Sequence, residues 1–243
     1  MEAPTGKYPI KYIFEPLDDA ADAAVEFVVE LDLPRLDLMG KQAAKGGPPP
    51  APWTRLEHHQ CQDCPLKPKE SPLCPVAVNL ADLVETFAAA ASYGRVRVRV
   101  ETEERVFLKD TSLQEGLFSV FGLIMATSGC PVMDFLRPMA RYHLPFATTE
   151  ETLARSTSFY LLRQYFKKSA GGRPDWDLQD LKRRYAGVEK VNNGILDRVR
   201  EVIQKGDADP NALVILQVFA QTAGMEIDTQ LGALKGFFQV DSK

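Results

Sequence analysis

Apolar and polar residues alternate in the first part of the chain, which is the pattern of half-buried β-strands. Every second residue is apolar from Tyr8 to Phe14 and again from Ala23 to Leu31. These two stretches predict a hairpin, and Leu36 and Leu38 predict a short third strand beside it. Residues 95–109 predict a second hairpin, because valine alternates with arginine before the chain turns back.

The rest of the chain has apolar residues at helical spacing. Asn79 is predicted to cap a helix that ends near Gly94, and capping-box patterns stand at 112–115 and 148–151. Cys130 and Pro131 are predicted to open a helix. Three further helices are predicted, from Leu178 to Ile203, from Asp209 onward, and from Asp228 to Phe238.

The order of these elements predicts an α+β fold. N-terminal antiparallel β hairpins with a cysteine-rich loop are followed by a mostly α-helical C-terminal bundle. Residues 1–110 form the β-rich part, which includes a metal-binding segment at 57–76, and residues 111–243 form the helical part. We expect the two parts to make one integrated unit, with a stiff proline-rich linker at 46–52.

Composition narrows the function classes. The chain has 29 Lys+Arg against 33 Asp+Glu, so its net charge is −4, and 45% of its residues are hydrophobic. Such a composition is that of a folded globular protein, and it lacks the basic excess of a dedicated nucleic-acid binder. No secretory leader is visible, and the longest apolar run, 117–126, is too short to span a membrane. We therefore expect a cytoplasmic protein with reduced thiols and no membrane partner.

The rare residues carry the candidate chemistry. Cys61, Cys64 and Cys74 follow one another at the spacing Cys-x2-Cys-x9-Cys, and His58 and His59 stand just before them. A Cys-x2-Cys turn places two sulfurs on one side of a tight loop, as a tetrahedral metal ion requires. The fourth cysteine, Cys130, is the predicted long-range ligand.

Three interpretations of this cluster remain open. The first is a zinc ion on Cys61, Cys64 and Cys74, with Cys130, His58 or His59 as fourth ligand. The second is a 4Fe-4S cluster on the four cysteines, because an all-thiolate site serves both metals. The third is that the buried cysteines act only as small apolar residues.

Other chemistry is less well supported by the sequence. No nucleotide-binding, nucleophile-elbow or zinc-protease motif occurs, so no catalytic residue is assigned. A thiol enzyme remains an alternative, with Cys130 deprotonated by His143. Arg137 and Arg141, four residues apart, suit either an anion clamp or a helix face paired with carboxylates.

Several motifs resemble an uncharacterised bacterial family of unknown function. The resemblance is clearest from Trp53 to Leu178, in the Cys-x2-Cys-Pro-Leu motif at 61–66, Cys-Pro-Val-Ala at 74–77 and Ser-Gly-Cys-Pro at 128–131. It implies a bacterial cytoplasmic protein and supplies no activity. The sequence as a whole thus predicts a metal-binding protein with an interaction or regulatory role and an unidentified protein partner, or alternatively an iron–sulfur redox or sensing protein.

Overall fold

A five-stranded antiparallel sheet forms the N-terminal layer of the protein. The computed structural model describes residues 5–17, 23–39, 50–203 and 206–238. The strands are β1 (Gly6–Pro16), β2 (Val25–Leu33), β3 (Asp37–Leu38), β4 (Arg95–Glu101) and β5 (Val106–Ser112). Their order across the sheet is β3-β2-β1-β4-β5, so β1 lies at the centre. Both predicted hairpins and the short third strand are confirmed.

The alternation of side chains sets the two faces of this sheet. Tyr12 in β1 lies opposite Phe27 in β2 and Val100 in β4, and Tyr12 is fully buried. The arginine row of β4 faces the other way, where Arg97 pairs with Asp110 of β5 at 2.7 Å. The sheet therefore has one core face and one charged face, as antiparallel sheets commonly do.

Helices cover the core face of the sheet. They are α1 (Pro75–Phe87), α2 (Leu113–Thr127), α3 (Pro138–Arg141), α4 (Thr149–Ser169), α5 (Gln179–Val202) and α6 (Ala208–Leu234), with short 3-10 turns at Pro52–Thr54, Asp134–Leu136 and Lys235–Phe238. Helix α2 contacts both the sheet and α6, and α5 packs along α6. The predicted α+β class is confirmed.

Four predicted helix boundaries are wrong. Helix α1 begins at Pro75, directly after Cys74, and Asn79 lies inside it with its side chain bonded to the Pro75 carbonyl. The same helix ends at Phe87, well before the predicted end near Gly94. Cys130 and Pro131 form a turn rather than a helix start. The last two predicted helices are one continuous helix, α6, because no proline separates them and a single glycine, Gly224, is tolerated inside a helix.

One apolar core joins the sheet to the helices. It contains Tyr8 and Phe14 of the sheet together with Leu117 of α2 and Tyr185 of α5. Among the described residues, no helix is long and apolar enough to cross a membrane. Residues 18–22 of the first hairpin turn and 46–49 of the predicted linker lie outside the described residues.

Candidate metal centre

The cysteine-rich loop is closed at its base by a short antiparallel pairing. The amide of Leu56 donates to the Pro72 carbonyl at 2.9 Å, and the amide of Cys74 donates to the Thr54 carbonyl at 2.8 Å. These bonds hold the start and the end of the loop together. Cys61 and Cys64 therefore lie in a closed loop. The loop ends at Cys74, directly before α1.

Cys61 and Cys64 share one tight turn. The Cys64 amide donates to the Cys61 carbonyl at 3.1 Å, and Asp63 between them has a positive φ of 61°. An aspartate tolerates this left-handed conformation better than most residues do. The Asp63 carboxylate also pairs with Lys190 of α5. The turn is thus fixed from within and from the neighbouring helix.

The other two cysteines stand at the ends of helices. Cys74 is the N-cap residue of α1, and Cys130 follows the end of α2 after Gly129, whose φ of 81° lets the chain turn. Burial raises the pKa of the Cys130 thiol, and hydrogen bonding from the backbone amides of Met133 and Val132 partly opposes the rise. Amide donors of this kind favour a thiolate.

All four cysteines line one cavity of about 160 Å³. None forms a disulfide bond; Cys74 and Cys130 are buried, and Cys61 and Cys64 are half-buried. Within the described part of the chain, no three of the four sulfurs lie within 4.8 Å of one another. The thiols thus surround a common space and do not converge on a point.

The cavity also has a cationic lining. Arg183, Lys190 and Arg198, all from α5, reach its wall. Arg198 is fully buried, and its Nε has no hydrogen-bond partner. Burial raises the pKa of the Cys61 thiol to about 12, the neighbouring cysteines add to the rise, and Arg198 opposes it. The Cys61 thiol is therefore protonated at neutral pH.

Arg198 also holds the loop in place. Its guanidinium donates to the carbonyls of Trp53 at 2.6 Å, Arg55 at 2.7 Å and Leu56 at 2.9 Å. These three carbonyls stand at the beginning of the cysteine-rich loop. One buried side chain of α5 thus fixes where the loop starts and also faces the cavity.

The predicted histidine ligands lie elsewhere. Neither His58 nor His59 lines the cysteine cavity. Their Nε2 atoms instead approach the Glu201 carboxylate, at 3.0 Å and 2.7 Å. Of the candidates for the fourth ligand, Cys130 alone lines the same cavity as Cys61, Cys64 and Cys74.

The structure offers no support for a Cys130–His143 pair. His143 lines a separate apolar cavity of about 130 Å³, and its Nε2 lies 2.5 Å from the Tyr12 hydroxyl. Burial lowers the pKa of His143 to about 3, and burial raises the pKa of Cys130. A buried thiol without a neighbouring base is the opposite of an activated nucleophile.

The two arginines of the same segment are paired with carboxylates. Arg137 pairs with Asp37 at 2.6 Å and with Asp134, and Arg141 pairs with Glu104 at 2.7 Å. This outcome confirms the carboxylate-paired alternative over the anion clamp.

Gly194 is needed where α5 approaches the loop. A Cβ atom at this position would lie 2.8 Å from the Cys61 sulfur and 3.2 Å from the His59 carbonyl oxygen. We expect Gly194→Ala to destabilise the protein by about 1–3 kcal/mol in urea unfolding, because displacing the loop costs more than the helix propensity gained.

Gly232→Ala in α6 is the matched control, since nothing lies within 4 Å of its Cβ position. We expect this variant to be as stable as the wild type or slightly more so. A Gly194→Ala protein of undiminished stability would mean that the loop does not need this close approach.

The sequence prediction missed the contribution of α5. Lys190, Arg198 and Glu201 contact the loop from more than 100 positions away. One local signal was available: Arg198 continues the apolar face of the helix, three residues after the buried Ile195. A charged residue at such a position is buried only when it has partners.

Comparison with known proteins gives one match. The family model described as a domain of unknown function, DUF6901, matches residues 10–239. No curated protein and no solved structure matches the chain. The match covers the sheet, the cysteine-rich loop and the helices that surround the cavity.

Proposed function

We propose that this chain, which belongs to the DUF6901 family, is a cytoplasmic protein that holds an iron–sulfur cluster on Cys61, Cys64, Cys74 and Cys130. The cluster would serve electron transfer or redox sensing together with a protein partner. The observation that carries the proposal is the spacing of the sulfurs, which share one cavity without three of them lying within 4.8 Å.

This spacing favours a cluster over a single ion. A tetrahedral zinc ion with Zn–S bonds of about 2.3 Å brings its four sulfurs to about 3.8 Å from one another. A 4Fe-4S cluster is larger, and each of its four thiolates binds a different iron atom at a corner. Thiols that surround a cavity of about 160 Å³ therefore suit the cluster better.

The charges around the cavity fit an anionic group. Four thiolates outweigh the positive charge of the metal in either kind of site, so the occupied site is negative. The buried guanidinium of Arg198 lies in the wall, together with Lys190, which is paired with Asp63 of the same lining, and Arg183, which is paired with Asp180. A buried cation is stabilised by such an anion, and amide donors like those at Cys130 tune the potential of a cluster.

A zinc centre on the same four cysteines is the second candidate. The Cys61–Cys64 turn, closed by a 3.1 Å backbone hydrogen bond, favours it because structural zinc sites commonly use such a turn. Zinc would then join the loop to α1 and to the Cys130 turn. The role would be interaction or regulation rather than electron transfer.

Anaerobic purification separates the two candidates. For a cluster we expect a brown protein with visible absorption and about four iron and four sulfide ions per chain. The absorption should bleach on reduction with dithionite. A colourless protein with one zinc ion per chain would overturn the cluster in favour of zinc, and a protein without either metal would overturn both.

Cys130→Ser tests the long-range ligand. We expect the variant to lose most of its bound iron, because Cys130 is the only cavity cysteine outside the loop segment. Glu57→Gln, an exposed side chain at the start of the same loop, is the control and should keep wild-type iron content. Full iron content in Cys130→Ser would show that Cys130 is not a ligand.

A further inference from the structure

A second group of metal-ligating side chains lies outside the cysteine cavity. One ring nitrogen of His58, one of His59 and a carboxylate oxygen of Glu201 lie within 4.8 Å of one another. The distances from Glu201 Oε2 are 3.0 Å to His58 Nε2 and 2.7 Å to His59 Nε2. Two imidazoles and one carboxylate are a common ligand set for first-row divalent ions.

The backbone turns two adjacent histidines toward the same point. His59 has a positive φ of 43°, in the left-handed region that a non-glycine residue enters only under constraint. The two rings stand edge to face, with centroids 4.8 Å apart and planes at 89°. In this arrangement both rings present Nε2 to the same carboxylate.

The three ligands are held by well-fixed elements. Glu201 lies in the last turn of α5, three residues after Arg198, which binds the carbonyls of Arg55 and Leu56 just before the histidines. Both halves of the group are thus positioned by the same buried arginine. Such support orients ligands before an ion arrives.

The outer side of the group is open to solvent. The side chains of His58, His59 and Glu201 are 28%, 44% and 54% exposed. An ion held by these three ligands would keep at least one coordination position for water or for a donor from a partner molecule.

We propose that His58, His59 and Glu201 form a second metal site, which binds one divalent ion of the zinc class. The ion joins the start of the cysteine-rich loop to the C-terminal end of α5. It is distinct from the cysteine site in ligand chemistry and does not depend on what the cysteines bind. Its expected role is to stabilise the loop that carries Cys61 and Cys64.

Cobalt(II) titration of the anaerobically purified protein tests this site. We expect one Co²⁺ per chain with weak d–d absorption and no sulfur-to-cobalt charge-transfer band, because the ligands are nitrogen and oxygen. Added Zn²⁺ should displace the bound Co²⁺ and raise the melting temperature of the protein. If no equivalent of Co²⁺ binds without a charge-transfer band, before or after the cysteine site is filled, the proposal is overturned.

Variants locate the ion. Glu201→Gln and His59→Ala should weaken Co²⁺ binding by at least about tenfold and abolish the rise in melting temperature on adding Zn²⁺. Glu57→Gln, an exposed carboxylate next to the histidines, is the matched control and should bind like the wild type. Unchanged binding in Glu201→Gln would refute the site, whereas iron content in the same samples reports separately on the cysteine proposal.

Discussion

Arg198→Met is expected to lower the free energy of unfolding by about 3–5 kcal/mol, because hydrogen bonds to a buried charged group are strong and their carbonyl partners are left unsatisfied. The guanidinium is fully buried and donates to Trp53, Arg55 and Leu56 at 2.6–2.9 Å. Methionine approximates the length of the side chain but replaces none of these bonds. Urea unfolding monitored by circular dichroism measures the effect.

Arg200→Met, on the same helix but exposed, is the control for this variant and should change stability by less than about 0.5 kcal/mol. We also expect Arg198→Met to hold less iron, because the loop that carries Cys61 and Cys64 loses its attachment to α5. An Arg198→Met protein within about 1 kcal/mol of the wild type would show that the loop is held by other contacts.

Asp209→Asn is expected to stabilise the protein by about 2–3 kcal/mol at pH 7, since the wild type pays for keeping a buried carboxyl protonated. Asp209 is fully buried in the first turn of α6, and neither of its carboxyl oxygens has a hydrogen-bond partner. Burial raises its pKa to about 8. The side-chain amide of asparagine has nearly the same shape as the carboxyl group. It is neutral in both the folded and the unfolded protein, so folding requires no proton uptake.

The pH dependence follows from the direction of this shift. Between the ordinary aspartate pKa of about 4 and the raised value of about 8, the folded protein holds a proton that the unfolded chain has released. The wild-type contribution to stability therefore falls as pH rises through that interval and is level above it. The advantage of Asp209→Asn should be small at pH 4, grow up to pH 8 and then remain constant.

For Asp207 we expect the opposite pH dependence of the free energy of unfolding. Hydrogen bonds from the Ser92 amide and hydroxyl, at 2.6 Å and 3.0 Å, lower the pKa of the Asp207 carboxyl. Its contribution is present above the ordinary aspartate pKa and is lost as pH falls through the lowered value. Asp207→Asn should thus be less stable than the wild type at pH 7.

Equal stability of wild type and Asp209→Asn from pH 4 to pH 8 would contradict the raised pKa of Asp209.

Local patterns were sufficient for most of the fold. Alternation predicted β1, β2 and β4, because one face of each of these strands is more buried than the other. Strand β5 was predicted as the return of the second hairpin, and it is mostly exposed. The start of α1 was missed because Asn79 resembles an N-cap, whereas the preceding Cys74 and Pro75 begin the helix. Asparagine favours caps, but Pro75 is the local signal that was overlooked, because proline suits the first position of a helix.

The candidate site was predictable only in part. The spacing of Cys61, Cys64 and Cys74 pointed to one loop, because these residues are close in sequence. Their separation in space could not be predicted from the spacing, and in the described part of the chain no three of the four sulfurs lie within 4.8 Å of one another. The pairing of His58 and His59 with Glu201 depends on how α5 packs against the loop, which no local pattern records.

The position of Arg198 in the chain has a consequence for biosynthesis. Cys61 leaves the ribosome 137 residues before Arg198 (198 − 61), and at ordinary translation rates this delay is on the order of ten seconds. During that interval three thiols are carried on a nascent loop whose attachment to α5 does not yet exist. The pocket wall is complete only when most of the polypeptide has been made. On the function proposed above, a metal cofactor would find its complete binding pocket only after most of the chain has been translated.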